Sequence, residues 1–142
     1  MSVEKSAGAV IFRKEKWVIY YLLLHYQAGH WDFVKGNIEK GEEIKQTIIR
    51  EAEEESGIKG LEFIKGFKET IEYFYKLKGK TIFKTVVFFL AETKTKEIKL
   101  SFEHIGFKWL SYEGALEILT YKNAKEVLIK ANNFLLGQKH RI

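Results

Sequence analysis

The chain has 142 residues, 46% hydrophobic and 15% aromatic, with no cysteine, no proline and a formal charge of +5. That length and composition suit one folded domain with a real core, and they exclude intrinsic disorder, a disulfide framework and thiolate chemistry. No apolar run reaches the roughly 20 residues of a membrane helix and the start lacks a basic-then-apolar leader, so no membrane association and a cytoplasmic location are expected.

From the N-terminus, "SAGAVIFRK" and "KWVIYYLLLH" are β-branched and aromatic runs around a charged "KEK" turn, and they predict a hairpin. "WDFVKGNIEKGEE" predicts a short strand running into a loop punctuated by Gly36 and Gly41. Glu42 to Ser56 reads as a helix: Ile44, Ile48 and Ala52 form a buried stripe, acidic residues open the first turn, and Gly57 stops it. "LEFIKGFKETIEYFYKL" and "KTIFKTVVFFLAET" predict strands joined through "KGK", and "GFKWL" a further short strand. "SYEGALEIL", with Ser111 as its cap, and "NAKEVLIKANNFLL" are amphipathic helices. Strands, helix, strands, helices without regular alternation predict an α/β (α+β) protein with helices packed on a mixed sheet. Nothing resembling a linker or repeat interrupts residues 1–142, so a single domain is expected.

The helix ends in "REAEEESGI". Its carboxylates crowd the negative pole of the helix dipole, where each is disfavoured by a few tenths of a kcal/mol. Glu51, Glu54 and Glu55 share one face, and the positions four residues on (Glu55, Ile58 and Lys59) supply no useful cation. A solvated acidic face is the ordinary reading of such a helix. The missing cations favour a different one, in which hard divalent ions are gripped from outside.

The same stretch resembles a complete Nudix box over 36–58, with Gly36, Glu42, Arg50, Glu51, Ala52, Glu54, Glu55, Gly57 and Ile58 all in place. The resemblance implies an α/β/α sandwich around a mixed sheet and metal-dependent hydrolysis of a nucleoside diphosphate linked to another group. It implies Mg²⁺ or Mn²⁺ held by Glu51, Glu54 and Glu55, with the Gly36 carbonyl as a further ligand. It leaves Glu42, Arg50 and Gly57 structural, Glu42 on another side of the helix and the arginine orienting a catalytic glutamate. Metal ions in such a site neutralise phosphate oxygens and acidify the attacking water.

Outside the box, "GHWDFVKG", "GFKETIEYFY", "FKTVVFFLAE" and "LSFEHIGFKWL" resemble segments of the asymmetric diadenosine tetraphosphate hydrolases within that family. That resemblance implies cleavage of diadenosine tetraphosphate to ATP and AMP. Tyr73 and Tyr121 would sandwich adenine, although a half-exposed strand tyrosine and a packed connector are their plainer readings. His30, Lys35 and Lys84 would meet the polyphosphate, against simple solvation. Glu103 would be a metal ligand or base, against an ordinary loop glutamate. Two departures stand out. Phe33-Val34 replaces the usual prolines, and extra residues around "KLKGKTIF" leave the matching of Lys80 and Lys84 open.

His104 and His25 read as packing histidines, and His140 receives no role. The lysine-borne charge is either a solvated surface or attraction for a polyanion. A small nucleotide is the expected partner, with no nucleic acid, for a monomer or homodimer. The alternatives are another pyrophosphohydrolase of the family (for ADP-ribose, an oxidised deoxynucleoside triphosphate or an mRNA cap), or a non-catalytic nucleotide- or RNA-binding domain. A sensor of that kind commonly lacks box glutamates, and here all are present.

Overall fold

In the computed structural model, residues 2–139 are described. The strands are β1 (Ser2–Glu15), β2 (Val18–Tyr26), β3 (Trp31–Asp32), β4 (Val34–Asn37), β5 (Glu62–Phe63), β6 (Glu69–Leu77), β7 (Lys80–Glu92) and β8 (His104–Leu110). The helices are α1 (Ile44–Ser56), α2 (Tyr112–Ile118) and α3 (Lys122–Lys139). The strands make one eight-stranded sheet in the order β3-β2-β1-β7-β5, with β4 also on β1, β6 on β7 and β8 on β2. β1 and β7 run parallel while β1–β2, β1–β4 and β6–β7 are antiparallel, so the sheet is mixed, as expected.

Side chains alternate across a strand, and β1 uses both faces. Ala7, Ala9 and Ile11 pack with Ile48, Ala52 and Ile58 of the α1 layer. Val10 and Phe12 point the other way and pack with Ala115, Leu119, Val127, Leu128 and Ala131 of the α2–α3 layer. This is the predicted α/β/α sandwich. On the α3 side, the buried Tyr21 hydroxyl donates to Asn132 Oδ1 at 2.7 Å, tying helix to sheet. Among the described residues no helix is long and apolar enough to cross a membrane.

Several local expectations are corrected. The first hairpin turns at Lys16-Trp17 and not at "KEK", because Glu15 pairs with Val18 and leaves a two-residue loop. Both residues have positive φ (47° and 72°), the backbone a tight hairpin of this handedness requires, and Trp17 is 97% exposed. Acidic residues do not open the first turn of α1. Glu42 and Glu43 precede it, Glu43 is the N-cap, and its N–H donates to Gln46 Oε1 at 2.8 Å. Ser111 occupies the N-cap of α2 but its side chain makes no capping hydrogen bond. Gly57 does end α1, in the left-handed conformation (φ 75°) that glycine adopts without cost. His140 lies outside the described residues.

Candidate active site

β4 pairs with β1 through Ala7–Gly36 and Gly8–Lys35, which brings the strand that precedes α1 into the sheet. α1 then crosses back so that Glu51 lies directly on Gly36. A Cβ at position 36 would stand 2.1 Å from Glu51 Cδ, so any larger residue would push that carboxylate away from the Gly36 backbone.

Arg50 gathers the acidic residues around it. Its Nη1 donates to Glu51 Oε1 at 2.7 Å and to Glu54 Oε2 at 3.3 Å, and its Nη2 donates to the Asn37 carbonyl at 3.0 Å. The absence of a cation in sequence is therefore corrected: the cation precedes the cluster, and i to i+1 and i+4 geometry delivers it. Glu42 is not on another side of the helix but outside it. From there it accepts from Arg50 Nε at 2.7 Å and Nη2 at 3.0 Å. These bonds, with the Glu39 backbone amide, hold the Glu42 carboxyl down at about 2.

Glu55 is 4% exposed, and Tyr26 Oη lies 3.4 Å from its Oε1 while donating to the Phe33 carbonyl at 2.6 Å. Burial first, and then a hydrogen bond and charge repulsion from Glu51, raise the Glu55 pKa well above the carboxylate range. His104, read as a packing histidine, is only half satisfied. Ser101 Oγ sits 3.0 Å from its Nδ1, whereas its buried Nε2 has no hydrogen-bond partner and stands 3.8 Å from Glu55 Oε1.

Among the described residues, no three carboxylates or imidazoles converge as they stand on one point that would clasp an ion. The donor set nonetheless suits a hard divalent cation. Glu51 and Glu55 are oxygen donors pressed together so that a proton must screen them, and a cation would replace that proton. Glu54, with a side chain 58% exposed, joins them only by turning from Arg50.

A cavity of about 1140 Å³ opens over this cluster. Gly36, Glu51, Glu54, Glu55, Glu103, His30, Lys35, Lys84, Tyr73 and Tyr121 all line it, whereas Glu42, Arg50 and Gly57 do not. Lys35 Nζ bonds Asp32 Oδ2 at 3.0 Å and lies 5.8 Å from the centre of the Tyr73 ring. Burial opposes the Lys35 charge, but Asp32 and Tyr73 outweigh it and raise its pKa. Lys84, opposite Tyr73 in the β6–β7 register, is pushed below its ordinary value by burial and by Lys35. Lys80 starts β7, is exposed and does not line the cavity, whereas Lys84 does. His30 stacks on Tyr26 (4.6 Å, 8°) with Tyr121 5.4 Å away, and Tyr73 neighbours Tyr75 at 6.3 Å. Burial lowers the His30 pKa. His25 stacks on Trp31 outside the cavity, as a packing histidine does.

Sequence reasoning missed Tyr26, Asp32, Tyr75 and Glu4. Glu4 pairs with Lys84 across β1–β7, its Oε1 lies 3.9 Å from Lys84 Nζ, and it also accepts from the Tyr75 hydroxyl. Only Asp32 had a local signal, as a carboxylate three residues from Lys35 within "WDFVKG".

Residues 3–131 match the NUDIX domain. The chain is 36% identical to the asymmetrical bis(5'-nucleosyl)-tetraphosphatase of Sus scrofa, over 92% of this chain and 95% of that one. It is 38% identical to the same enzyme of Caenorhabditis elegans, over 95% and 99%. The structure of a C. elegans Ap4A hydrolase binary complex superposes with a TM-score of 0.84 at 37% identity, covering 94% of this chain and 98% of that one.

Proposed function

The chain belongs to the NUDIX family, and from that premise we propose that it hydrolyses diadenosine tetraphosphate asymmetrically to ATP and AMP by attack of water at phosphorus. The observation that carries the reading is the cavity. Ten residues drawn from six strands or loops and one helix meet there, and each is of a type that a dinucleoside polyphosphate needs.

A divalent ion, Mg²⁺ or Mn²⁺, supplies phosphate neutralisation and a more acidic water, and Glu51, Glu54, Glu55 and the Gly36 carbonyl would hold it. Arg50 fixes the Glu51 carboxylate from outside the cavity. Lys35, Lys84 and His30 bind the polyphosphate, Lys35 as a point charge already aimed by Asp32. Tyr73 and Tyr121 take an adenine by stacking. Glu103, on the loop before β8, accepts the water's proton or completes the ion's shell. Residues 1–142 act as one hydrolase domain with its motif at 36–58, cytoplasmic, as a monomer or homodimer.

The test is a chromatographic screen of nucleotides with Mg²⁺ in ¹⁸O-water. Diadenosine tetraphosphate should give ATP and AMP, with ¹⁸O in one product marking the attacked phosphorus. Consumption of ADP-ribose, a deoxynucleoside triphosphate or capped RNA with diadenosine tetraphosphate left intact would overturn the reading.

A further inference from the structure

Phe102 precedes Glu103 and lines the cavity, yet it is 85% exposed. An aromatic ring left in water normally folds into the nearest apolar surface. Here the backbone prevents it. Gln27 clamps the loop twice, its side-chain amide donating to the Phe102 carbonyl and its N–H donating to the Glu103 carbonyl at 3.1 Å. Ser101 closes the turn from the other side, with its carbonyl accepting from His104 N–H at 3.2 Å and its Oγ contacting His104 Nδ1. The ring is thus held out at the rim. Phe74, the other exposed phenylalanine of the cavity, has a partner ring in Phe83 at 5.0 Å, whereas among the described residues Phe102 has none.

The cavity, about 1140 Å³, lies just above the roughly 300–1000 Å³ of pockets that take one small ligand, and Phe102 stands on its lining with Tyr73 and Tyr121. Resting on the functional reading above, we infer that Phe102 is the stacking platform for the base of the second nucleoside, the one that Tyr73 and Tyr121 do not hold. A bare ring with no hydrogen-bonding group reads the base by its π-face, which makes the second base subsite tolerant of base identity.

Competition kinetics test this. The KM for diadenosine tetraphosphate is compared with the inhibition constant of adenosine 5′-tetraphosphate, which carries the same phosphates without the second nucleoside. In F102A the ratio of the two should rise roughly 5- to 140-fold, the range of one base–aromatic stack. In F102W it should stay within about twofold of the wild type. A ratio unmoved by F102A overturns the inference, as does an equal rise of both constants, which would mean that the substitution disturbs the loop. Wild-type protein that leaves diadenosine tetraphosphate intact overturns the functional reading itself. Turnover with an unmoved ratio overturns only the platform.

Discussion

Arg50 holds Glu42 by a two-point grip, Nε to Oε2 at 2.7 Å and Nη2 to Oε1 at 3.0 Å, across the junction where the 38–43 loop becomes α1. The grip fixes the loop to the helix and leaves Nη1 for Glu51 and Glu54. Because the carboxyl is held below its ordinary value, its contribution to stability is complete above the ordinary carboxylate range and is lost as pH falls toward about 2. The difference in Tm between the wild type and Glu42→Gln should therefore be present at pH 6 and shrink steadily between pH 5 and 2. A difference independent of pH would refute the ionic grip.

Glu54 is the most exposed of the three carboxylates assigned to the ion, and its bond to Arg50 is a surface pair. Such pairs contribute about 0–1 kcal/mol. Glu54→Gln should leave Tm nearly unchanged while Mg²⁺-dependent kcat drops by at least ~10²-fold. Wild-type turnover in this variant would remove Glu54 from ion binding and catalysis.

Tyr73 sits between Lys35 and Tyr75 on the cavity wall. Losing one base stack corresponds to roughly 1–3 kcal/mol. Tyr73→Ala should raise KM for diadenosine tetraphosphate about fivefold or more, with a smaller change in kcat. Steady-state kinetics showing an unaltered KM would take Tyr73 out of the adenine site.

The Tyr21–Asn132 hydrogen bond lies in the core, away from the cavity. Tyr21→Phe strands a buried acceptor and should destabilise the fold by about 1–3 kcal/mol in denaturant unfolding, with kcat/KM preserved. Equal stability of the two proteins would show that the bond is replaced.

What the chain revealed in one dimension was whatever is encoded within a single element. The box could be read because spacings of one, three and four on a helix place Glu51, Glu54, Glu55 and Arg50 without knowledge of the rest of the fold. Two glycines supplied the remaining geometry: Gly36, which leaves room for the Glu51 carboxylate, and Gly57, favoured by its left-handed φ. The partner that positions Lys84 was not legible. Glu4 meets Lys84 only because β1 and β7 pair in one particular parallel register, and no local pattern reports that register. Trp17 was misplaced for the opposite reason. Its type and its neighbours Val18 and Ile19 look like a strand, and the two-residue loop claims it regardless of propensity. The charge-balancing role of Arg50 is hidden in the sequence because the compensating cation stands before the glutamates, whereas i to i+4 pairing from each of them points to residues after the cluster.

The parallel β1–β7 ladder also sets the tempo at which this molecule can assemble. Every pair in it joins positions 80 residues apart, as Val10 does with Leu90. Closing so long a loop is slow and precedes any reward from the contacts it makes. Until that loop closes, the edge of β1 that faces β7 has no partner, although β2 and β4 can already pair with its other edge. An unpaired central edge is open to other copies, so yield on dilution from denaturant will depend more on protein concentration than the stability of the finished protein would suggest.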